Sequence, residues 1–343
     1  MDERKMKILA AVVDEYIMTG EPVGSKAVSQ RPGINVSAAT IRNEMAMLEE
    51  LGFLEQPHTS AGRVPTFNGY KLYIEKLMRT NPLSEQERRQ LDMMFDSAAP
   101  TEEALVQSAA QALTELTKCA AVVSNISPQF SVITKVEVIP TGKRLYVLLL
   151  ITSSGSIKNK ICRLEFDLAN EQLEFFSNYM QQNLQGVQLE NLSEKMIENL
   201  ILAMGTYMMT LTPLVQAVYD LSKDLLGKEI VISGEKNLLS CKEFDRNEIV
   251  HFIEHKNEIA KFLDESFSGI HVIFGEENQF AIGNSSMIVS KYKKGGRTAG
   301  SLGIIGPMRL DYSKIIPYVE YFSQKITDLI SNNEENFLDD DEK

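Results

Sequence analysis

The residues that could do chemistry are concentrated in two neighbouring segments, SAATIRNEMAMLEEL at 37–51 and QPHTSAGRVPTFNGYK at 56–71. If the first segment is a helix, its rotation of about 100° per residue separates an apolar face from a polar one. The polar face then carries Thr40 and Asn43, with Arg42 on its flank. A hydroxyl, an amide and a guanidinium can all donate hydrogen bonds to base edges or phosphates. The pattern therefore indicates a helix that could read nucleic acid.

The second segment, 56–71, contains Arg63 and Lys71 but no acidic residue, in a chain of formal net charge −12. Residues 1–80 carry ten Lys/Arg and ten Asp/Glu, so the acidity lies elsewhere in the chain. An acid in this segment would be repelled by phosphate, and its absence is typical of a loop that faces DNA. The donors available to phosphates or to a minor groove are His58, Thr59, Ser60 and Arg63.

The acids of the first segment argue against this interpretation, because Glu44, Glu49 and Glu50 would repel phosphate. The last two fall in the C-terminal half, which usually tilts away from the groove. An ordinary amphipathic surface helix and a solvated loop remain alternatives for segments 37–51 and 56–71 when each is taken alone.

Two other segments resemble chemical motifs. HFIEH at 251–255 matches an inverted zinc-peptidase motif, yet both His flank an apolar stripe and no third ligand is marked. YKKGGRTAGSLGIIGP at 292–307 could hold phosphate, but it matches neither common phosphate-loop pattern and favours a hairpin turn at Gly295 and Gly296. No nucleophile elbow occurs and the three cysteines form no CxxC pair, so we expect no enzyme, metal or cofactor.

The elements that must position the N-terminal polar residues follow from periodicity and end signals. Apolar spacing predicts a helix over 3–19, Ser25 suggests an N-cap for a short helix over 25–30, and Ser37 suggests the N-cap of the helix that ends at Gly52. A strand–loop–strand pattern comes next. Three helices followed by a hairpin are typical of a winged helix-turn-helix.

The rest of the chain changes character several times. After a helical connector, β-branched runs predict a sheet, a helical block interrupts the strands, and further strands precede a last helix near 313–331. We therefore expect a multidomain α+β protein, in which a helical domain is inserted into another. The expected boundaries are 1–80 for the winged helix, 81–100 for the connector, 101–167 and 227–332 for the α+β domain, 168–226 for the insertion, and 333–343 for an acidic tail.

The composition of the 343 residues is that of a globular protein, with 43% hydrophobic and 24% charged residues. The apolar run near the N-terminus meets Asp14 and Glu15 too soon for a signal peptide. The longest apolar stretch, LYVLLLI at 145–151, is too short to cross a membrane. We expect a cytoplasmic protein without a membrane partner.

Three quoted stretches carry a resemblance to a known family. They are EPVGSKAV, then VSAATIRNEMAMLEELGFLEQPHTSAGRVPTFNGYKLYI, and GGRTAGSLGIIGPMRLDYSKIIPYVEYFS near the end. Together they resemble the heat-inducible transcription repressor family, HrcA. The likeness is strong at both ends of the chain and loose over 80–225. It implies a winged helix, a GAF-like α+β domain and a dimerisation domain inserted into the latter.

The resemblance also implies a function and a set of DNA-binding residues. The family represses chaperone operons by binding an inverted-repeat operator called CIRCE, and a GroEL-type chaperonin is thought to keep it active. An inverted repeat has two-fold symmetry, so we expect a homodimer. Thr40, Arg42 and Asn43 are expected to face the groove. The residues expected to contact the DNA backbone are Ser25, Lys26, His58, Thr59, Ser60 and Arg63, and Ser37 at the start of the helix is also expected to bind DNA.

A metabolite-sensing winged-helix repressor remains an alternative, because GAF-like domains often hold a small ligand. The sequence marks no convergent set of polar residues as a pocket.

Overall fold

The computed structural model describes residues 2–58, 61–78, 82–124, 131–226, 230–256, 259, 263, 269–275 and 282–338, without the side chains of 206–208 and 332–338. The chain is a mixed α+β protein, as the sequence predicts. Its described strands form a two-stranded hairpin, a five-stranded sheet and a three-stranded sheet.

The N-terminal unit consists of helices around a short hairpin. Its elements are α1 (Glu3–Thr19), α2 (Ser25–Ser29), α3 (Ala38–Glu50), β1 (Leu54–Glu55), β2 (Val64–Pro65), α4 (Phe67–Leu72) and the π-helical turn Tyr73–Leu77. The predicted helices and hairpin are confirmed. The prediction that Ser25 is an N-cap is wrong, because Gly24 holds the cap position and makes no side-chain hydrogen bond there. Gly24 already supplies the extended backbone conformation that an N-cap needs.

Two helices lead from this unit into the rest of the chain, α5 (Glu85–Met94) and α6 (Glu102–Thr117). A capping box opens α5, since Ser84 Oγ accepts from the backbone N–H of Glu87 and the Glu87 carboxylate accepts from the backbone N–H of Ser84. The connector is not a free linker. Leu91 is buried in the same core as α1 and α6.

The five-stranded sheet is antiparallel throughout, in the order β7-β3-β10-β9-β8. Its strands are β3 (Ala120–Ser124), β7 (Ile230–Ser233), β8 (Ile270–Phe274), β9 (Ser285–Lys294) and β10 (Arg297–Pro307). The predicted turn between β9 and β10 is confirmed. Gly295 and Gly296 both have positive φ, at 54° and 75°, which matches the backbone of the two-residue hairpin turns that glycine favours.

Alternate residues of this sheet enter different hydrophobic cores. Ala121 and Val123 pack with α6 and with the last helix, whereas Ala120 and Val122 pack with α10 (Glu235–Ser240) and α11 (Arg246–Glu254). Side chains on a strand alternate between the two faces, so a continuous apolar run indicates a strand covered on both sides. The sheet is therefore the middle layer of three.

The three-stranded sheet has its own core. Its strands β4 (Ile133–Gly142), β5 (Leu145–Thr152) and β6 (Ile157–Arg163) pack through one face on helices α7 (Asn170–Leu184), α8 (Glu194–Met204) and α9 (Thr212–Leu226). From the sequence we expect these strands in the domain at 101–167, but they share their core with α7, α8 and α9. Periodicity identifies a strand without identifying the sheet to which it belongs.

The last helix, α12 (Tyr312–Leu338), begins as predicted but continues into the segment that we expected to be a tail from 333. Residues 339–343 lie outside the described residues. No helix in the described part of the chain is long and apolar enough to cross a membrane.

The N-terminal unit is packed against the five-stranded sheet and α12. The rings of Phe67 and Phe274 meet edge to face with centroids 5.0 Å apart. Arg309 donates from Nη1 to the carbonyl of Ile17 at 3.2 Å and from Nη2 to Glu243 at 2.9 Å. Because α1 has no basic residue in its last turn, Arg309 supplies positive charge at the C-terminal end of its dipole.

Candidate DNA-binding surface

The start of α3 is fixed by Ser37, as predicted. Its Oγ accepts from the backbone N–H of Thr40 at 3.2 Å and lies 3.0 Å from the Thr40 hydroxyl. This N-cap satisfies one of the backbone donors that a helix leaves without an intrahelical partner. Two predicted site residues, Ser37 and Thr40, are thus brought together at the end of the helix.

Helix α3 has the two faces that its sequence predicts. Ile41, Met45 and Leu48 are buried in the core shared with α1. On the opposite side Arg42 and Asn43 are exposed. Their guanidinium and amide groups are therefore available to a partner that lies along the helix.

The loop of the hairpin is closed by its own hydrogen bonds. The Gln56 side-chain amide donates to the carbonyl of Ala61 at 3.0 Å, and the Ala61 N–H donates to the carbonyl of His58 at 2.9 Å. These bonds leave His58 exposed. The predicted contacts Thr59 and Ser60 lie outside the described residues.

A backbone bridge joins the hairpin to the chain just before α2. The N–H of Val23 donates to the carbonyl of Arg63 at 2.8 Å, and the N–H of Arg63 donates back at 2.9 Å. Gly62 permits this approach. A Cβ there would lie 2.4 Å from the backbone carbonyl of Val23, inside any van der Waals contact. The position of the loop relative to α2 and α3 therefore depends on a glycine.

Arg63 does not point freely into solvent. Its Nε and Nη2 both lie 2.8 Å from Glu49 Oε2 on α3, and its side chain is only 18% exposed. The ion pair fastens the hairpin to the C-terminal half of α3. The structure thus gives Arg63 a structural partner that the sequence analysis did not anticipate.

The remaining predicted residues lie on α2. Lys26 is exposed, and Ser25 is half-buried as the first residue of the helix. Val28 of the same short helix is buried in the core that also holds Ile41 of α3. The described predicted residues therefore sit on α2, α3 and the hairpin of one packed unit.

A group that the sequence analysis missed lies at the start of α1. Glu44 of α3 is only 8% exposed, and its carboxylate lies 3.1 Å from Lys5 Nζ and 3.5 Å from Arg4 Nη1. The hydrogen bond from Lys5 to Asp2, together with the nearby Glu44 carboxylate, raises the pKa of the Lys5 ammonium and keeps it charged. The charged DERK sequence at 2–5 is visible in the sequence, but its partner Glu44 is about 40 residues further along the chain, and no local pattern links them.

The other motifs gain no chemical role from the structure. His251 and His255 are exposed and stacked, with ring centroids 4.1 Å apart. Within the described ranges no three His, Cys, Asp or Glu side chains gather in a way that could hold a metal ion. Burial raises the pKa of the Cys119 thiol to about 11, which makes it a poor nucleophile.

Comparison with known proteins gives a consistent result over nearly the full length. A family described as HrcA protein C terminal domain matches residues 103–316. The heat-inducible transcription repressor HrcA of Clostridium acetobutylicum is 34% identical over 339 residues, which cover 97% of each chain. The protein of that name from Acetivibrio thermocellus is 33% identical over 334 residues, which cover 95% of each chain.

One solved structure, described as that of a hypothetical protein, aligns with 97% of this chain and 99% of its own. Its TM-score is 0.69 and its sequence identity is 23%. At this identity the likeness concerns the fold alone, and it supports the mixed α+β architecture along the whole chain.

Proposed function

The chain belongs to the HrcA family of heat-inducible transcription repressors, and from this we propose that it represses heat-shock genes by binding inverted-repeat operator DNA as a homodimer. The observation that carries the proposal is the similarity to named repressors along nearly the whole of both chains. A repressor acts by occupying its operator DNA and needs no catalytic group. It acts where the chromosome is, so we place the protein in the cytoplasm.

We propose that the N-terminal unit is a winged helix-turn-helix, with α3 in the major groove and the loop of the hairpin as the wing. The exposed polar side of α3 supports this, because a major groove about 12 Å wide admits one helix. In this arrangement Thr40, Arg42 and Asn43 face the bases. The residues that lie along the DNA backbone are Ser25, Lys26, Ser37 and, in the wing, His58, Thr59, Ser60 and Arg63.

The five-stranded sheet with its flanking helices is the unit that we propose as the GAF-like domain. The three-stranded sheet and α7–α9 form the inserted unit, which on the division of the cores begins near residue 131 rather than 168.

The face of the three-stranded sheet that points away from α7–α9 supports a dimer. Ile139, Ile157 and Ile161 are 41%, 59% and 66% exposed on it. They flank half-buried Val147 and Ile151 of β5 in register. Lys135, Glu137 and Asn159 share this face, but the isoleucines beside them leave an exposed apolar patch, and such a patch marks an interaction site. We assign this face to a second copy of the chain.

We propose that a GroEL-type chaperonin modulates the fraction of the repressor that is folded. Domains are stable by only about 5–15 kcal/mol, so moderate heating can lower the active fraction without a dedicated sensor residue. Occupation of chaperonins by other unfolded proteins would then leave less active repressor and raise transcription of the operon.

Transcription in vitro from a promoter with a CIRCE inverted repeat tests the proposal. The protein should repress this template but not one in which the repeat is scrambled. After heating, repression should be weak and should recover when a GroEL-type chaperonin and ATP are added. Equal transcription from both templates at every protein concentration would contradict the repressor function. Full repression after heating alone would contradict only the chaperonin step.

A further inference from the structure

The charged group at the start of α1 places two cations beside the helix proposed to read DNA. Glu44 directly follows Asn43 on α3, and its carboxylate lies within 3.5 Å of both Lys5 and Arg4 of α1. Glu44 is nearly buried while Arg4 is 58% exposed, so their contact lies at the edge where the buried face of α3 meets solvent. Since phosphates line both edges of the groove that a recognition helix occupies, a cation at this edge can reach one of them.

The two cations differ in how far they are committed to protein partners. Lys5 is 18% exposed and also lies 2.8 Å from Asp2, so its ammonium is held between two carboxylates. Arg4 is 58% exposed and meets Glu44 through one nitrogen at the longer distance of 3.5 Å. A guanidinium has five donors in a fixed fork that matches phosphate, and Arg4 makes no other ion pair or hydrogen bond within the part of the chain that the structure describes.

We propose that Arg4 binds a phosphate of the DNA backbone and that Glu44 is the positioning residue that holds Arg4 for this contact. The proposal rests on the DNA-binding function proposed above, which it deepens by adding a contact from α1. Glu44 then has a role opposite to that expected of an acid on a DNA-reading helix. The Lys5 ammonium offsets the charge of the nearly buried Glu44 carboxylate, which faces the start of α1 rather than solvent.

The arrangement has a counterpart at the other end of α3. Glu49 pairs with Arg63 of the hairpin at 2.8 Å, which is closer than the 3.5 Å contact of Glu44 with Arg4. Each carboxylate faces an arginine from a different element, so α3 has cations beside it at two places along its length. Glu50 differs from both, since it is exposed and has no ion pair among the described residues.

Removal of the Glu44 charge distinguishes a positioning role from simple repulsion, because the two roles predict opposite changes in DNA affinity. If Glu44 merely repelled phosphate, Glu44→Gln would strengthen DNA binding. If Glu44 positions Arg4, the same change weakens binding on every sequence, by about tenfold, as the loss of one charged hydrogen bond would. Glu50→Gln is the matched control on the same helix and should leave binding unchanged or slightly stronger.

The experiment measures fluorescence anisotropy of full-length wild type, Arg4→Ala, Glu44→Gln, the double variant and Glu50→Gln. Each is titrated on an inverted-repeat duplex and on a scrambled duplex over a salt series. Arg4→Ala should weaken both complexes about tenfold and lower the slope of log K against log salt by about one. The double variant should bind no more weakly than Arg4→Ala, because Glu44 acts through Arg4.

Wild-type affinity for Glu44→Gln, or an unchanged salt slope for Arg4→Ala, would overturn the proposal. Arg4 is exposed, so its variant remains a valid test even if Glu44→Gln fails to fold, which a thermal unfolding curve of each variant reveals. If wild type shows no preference for the inverted repeat, the proposed operator function fails, while the scrambled duplex still tests the contact by Arg4.

Discussion

Asn43 is the residue of α3 best suited to read a base, because a side-chain amide can donate and accept at the same adenine edge. It is exposed beside Arg42, while the neighbouring Glu44 is turned into the protein. Lys26 of α2 is also exposed, but an ammonium on a flexible stem suits a phosphate better than a base. The two residues should therefore affect binding in different ways.

Substitution of Asn43 by alanine should weaken binding to the inverted repeat by about 1–3 kcal/mol and leave binding to a scrambled duplex nearly unchanged. Lys26→Ala is the comparison, and it should weaken both complexes alike and lower the salt slope by about one. Anisotropy titrations on the two duplexes measure both effects. An equal loss on the two duplexes for Asn43→Ala would show that Asn43 is not a base reader.

At this scale the sequence predicts which residues are exposed on α3 but not which are paired. Ile41 and Leu48 are buried as helical spacing requires. The pair between Arg63 and Glu49 joins residues 14 apart on different elements, and the approach of Lys5 to Glu44 spans a greater distance in the chain. Helical projection places Glu44 beside the buried face, one turn from Ile41 and Leu48, and only tertiary contacts could reveal that its carboxylate is paired with Lys5.

At the scale of elements, α3 and the hairpin act together because two contacts join the hairpin to its neighbours. One is the backbone bridge between Val23 and Arg63, and the other is the ion pair of Arg63 with Glu49. The loop 56–63 is too short to have a core of its own, so its position is set by these contacts. A change that breaks the bridge should disturb the wing and leave the rest of the chain folded.

Gly62→Ala is such a change, because the new Cβ would overlap the backbone of Val23 at 2.4 Å. We expect a loss of about 1–3 kcal/mol in the free energy of unfolding, as for other overpacked sites, together with weaker DNA binding. Gly24→Ala is the control, since a Cβ there meets nothing within 4 Å and φ is −89°. Thermal unfolding and anisotropy measure the two losses, and equal behaviour of the two variants would contradict this account of the wing.

The elements themselves were largely predictable, because their ends carry local signals. Ser37 caps α3 as expected, and Ser84 and Thr101 are caps of the same recognisable type for α5 and α6. The assignment of strands to sheets was not predictable from such signals. The strands between 133 and 163 have the same β-branched character as those of the five-stranded sheet. Only their tertiary contacts show that they pack with α7–α9.

At the scale of the whole molecule, the account requires two copies of the chain. A palindromic operator presents two equivalent half-sites, and a protein with two-fold symmetry can offer the same helix to each. The apolar face of the three-stranded sheet lies in the inserted unit, which has a core separate from that of the N-terminal unit. The proposed dimer face and α3 therefore belong to different packed units of the chain.

Ile161→Asp should convert the dimer into a monomer, because it places a charge on the proposed dimer face, in register with Val147 of the middle strand. Leu202→Asp on α8 is the control, since Leu202 is 77% exposed on another element. Light scattering coupled to size-exclusion chromatography should give the mass of two chains for wild type and Leu202→Asp and of one chain for Ile161→Asp. A dimeric Ile161→Asp variant would place the interface elsewhere.

The most direct test of the central claim is the affinity of the wild-type protein for DNA with two-fold symmetry. Fluorescence anisotropy should be recorded with a CIRCE duplex, with a single half-site and with a scrambled duplex of equal length, over a salt series. The account predicts tight, salt-dependent binding of one dimer to the full repeat, with much weaker binding to the half-site and the scrambled sequence. Equal, weak binding to all three duplexes would contradict it.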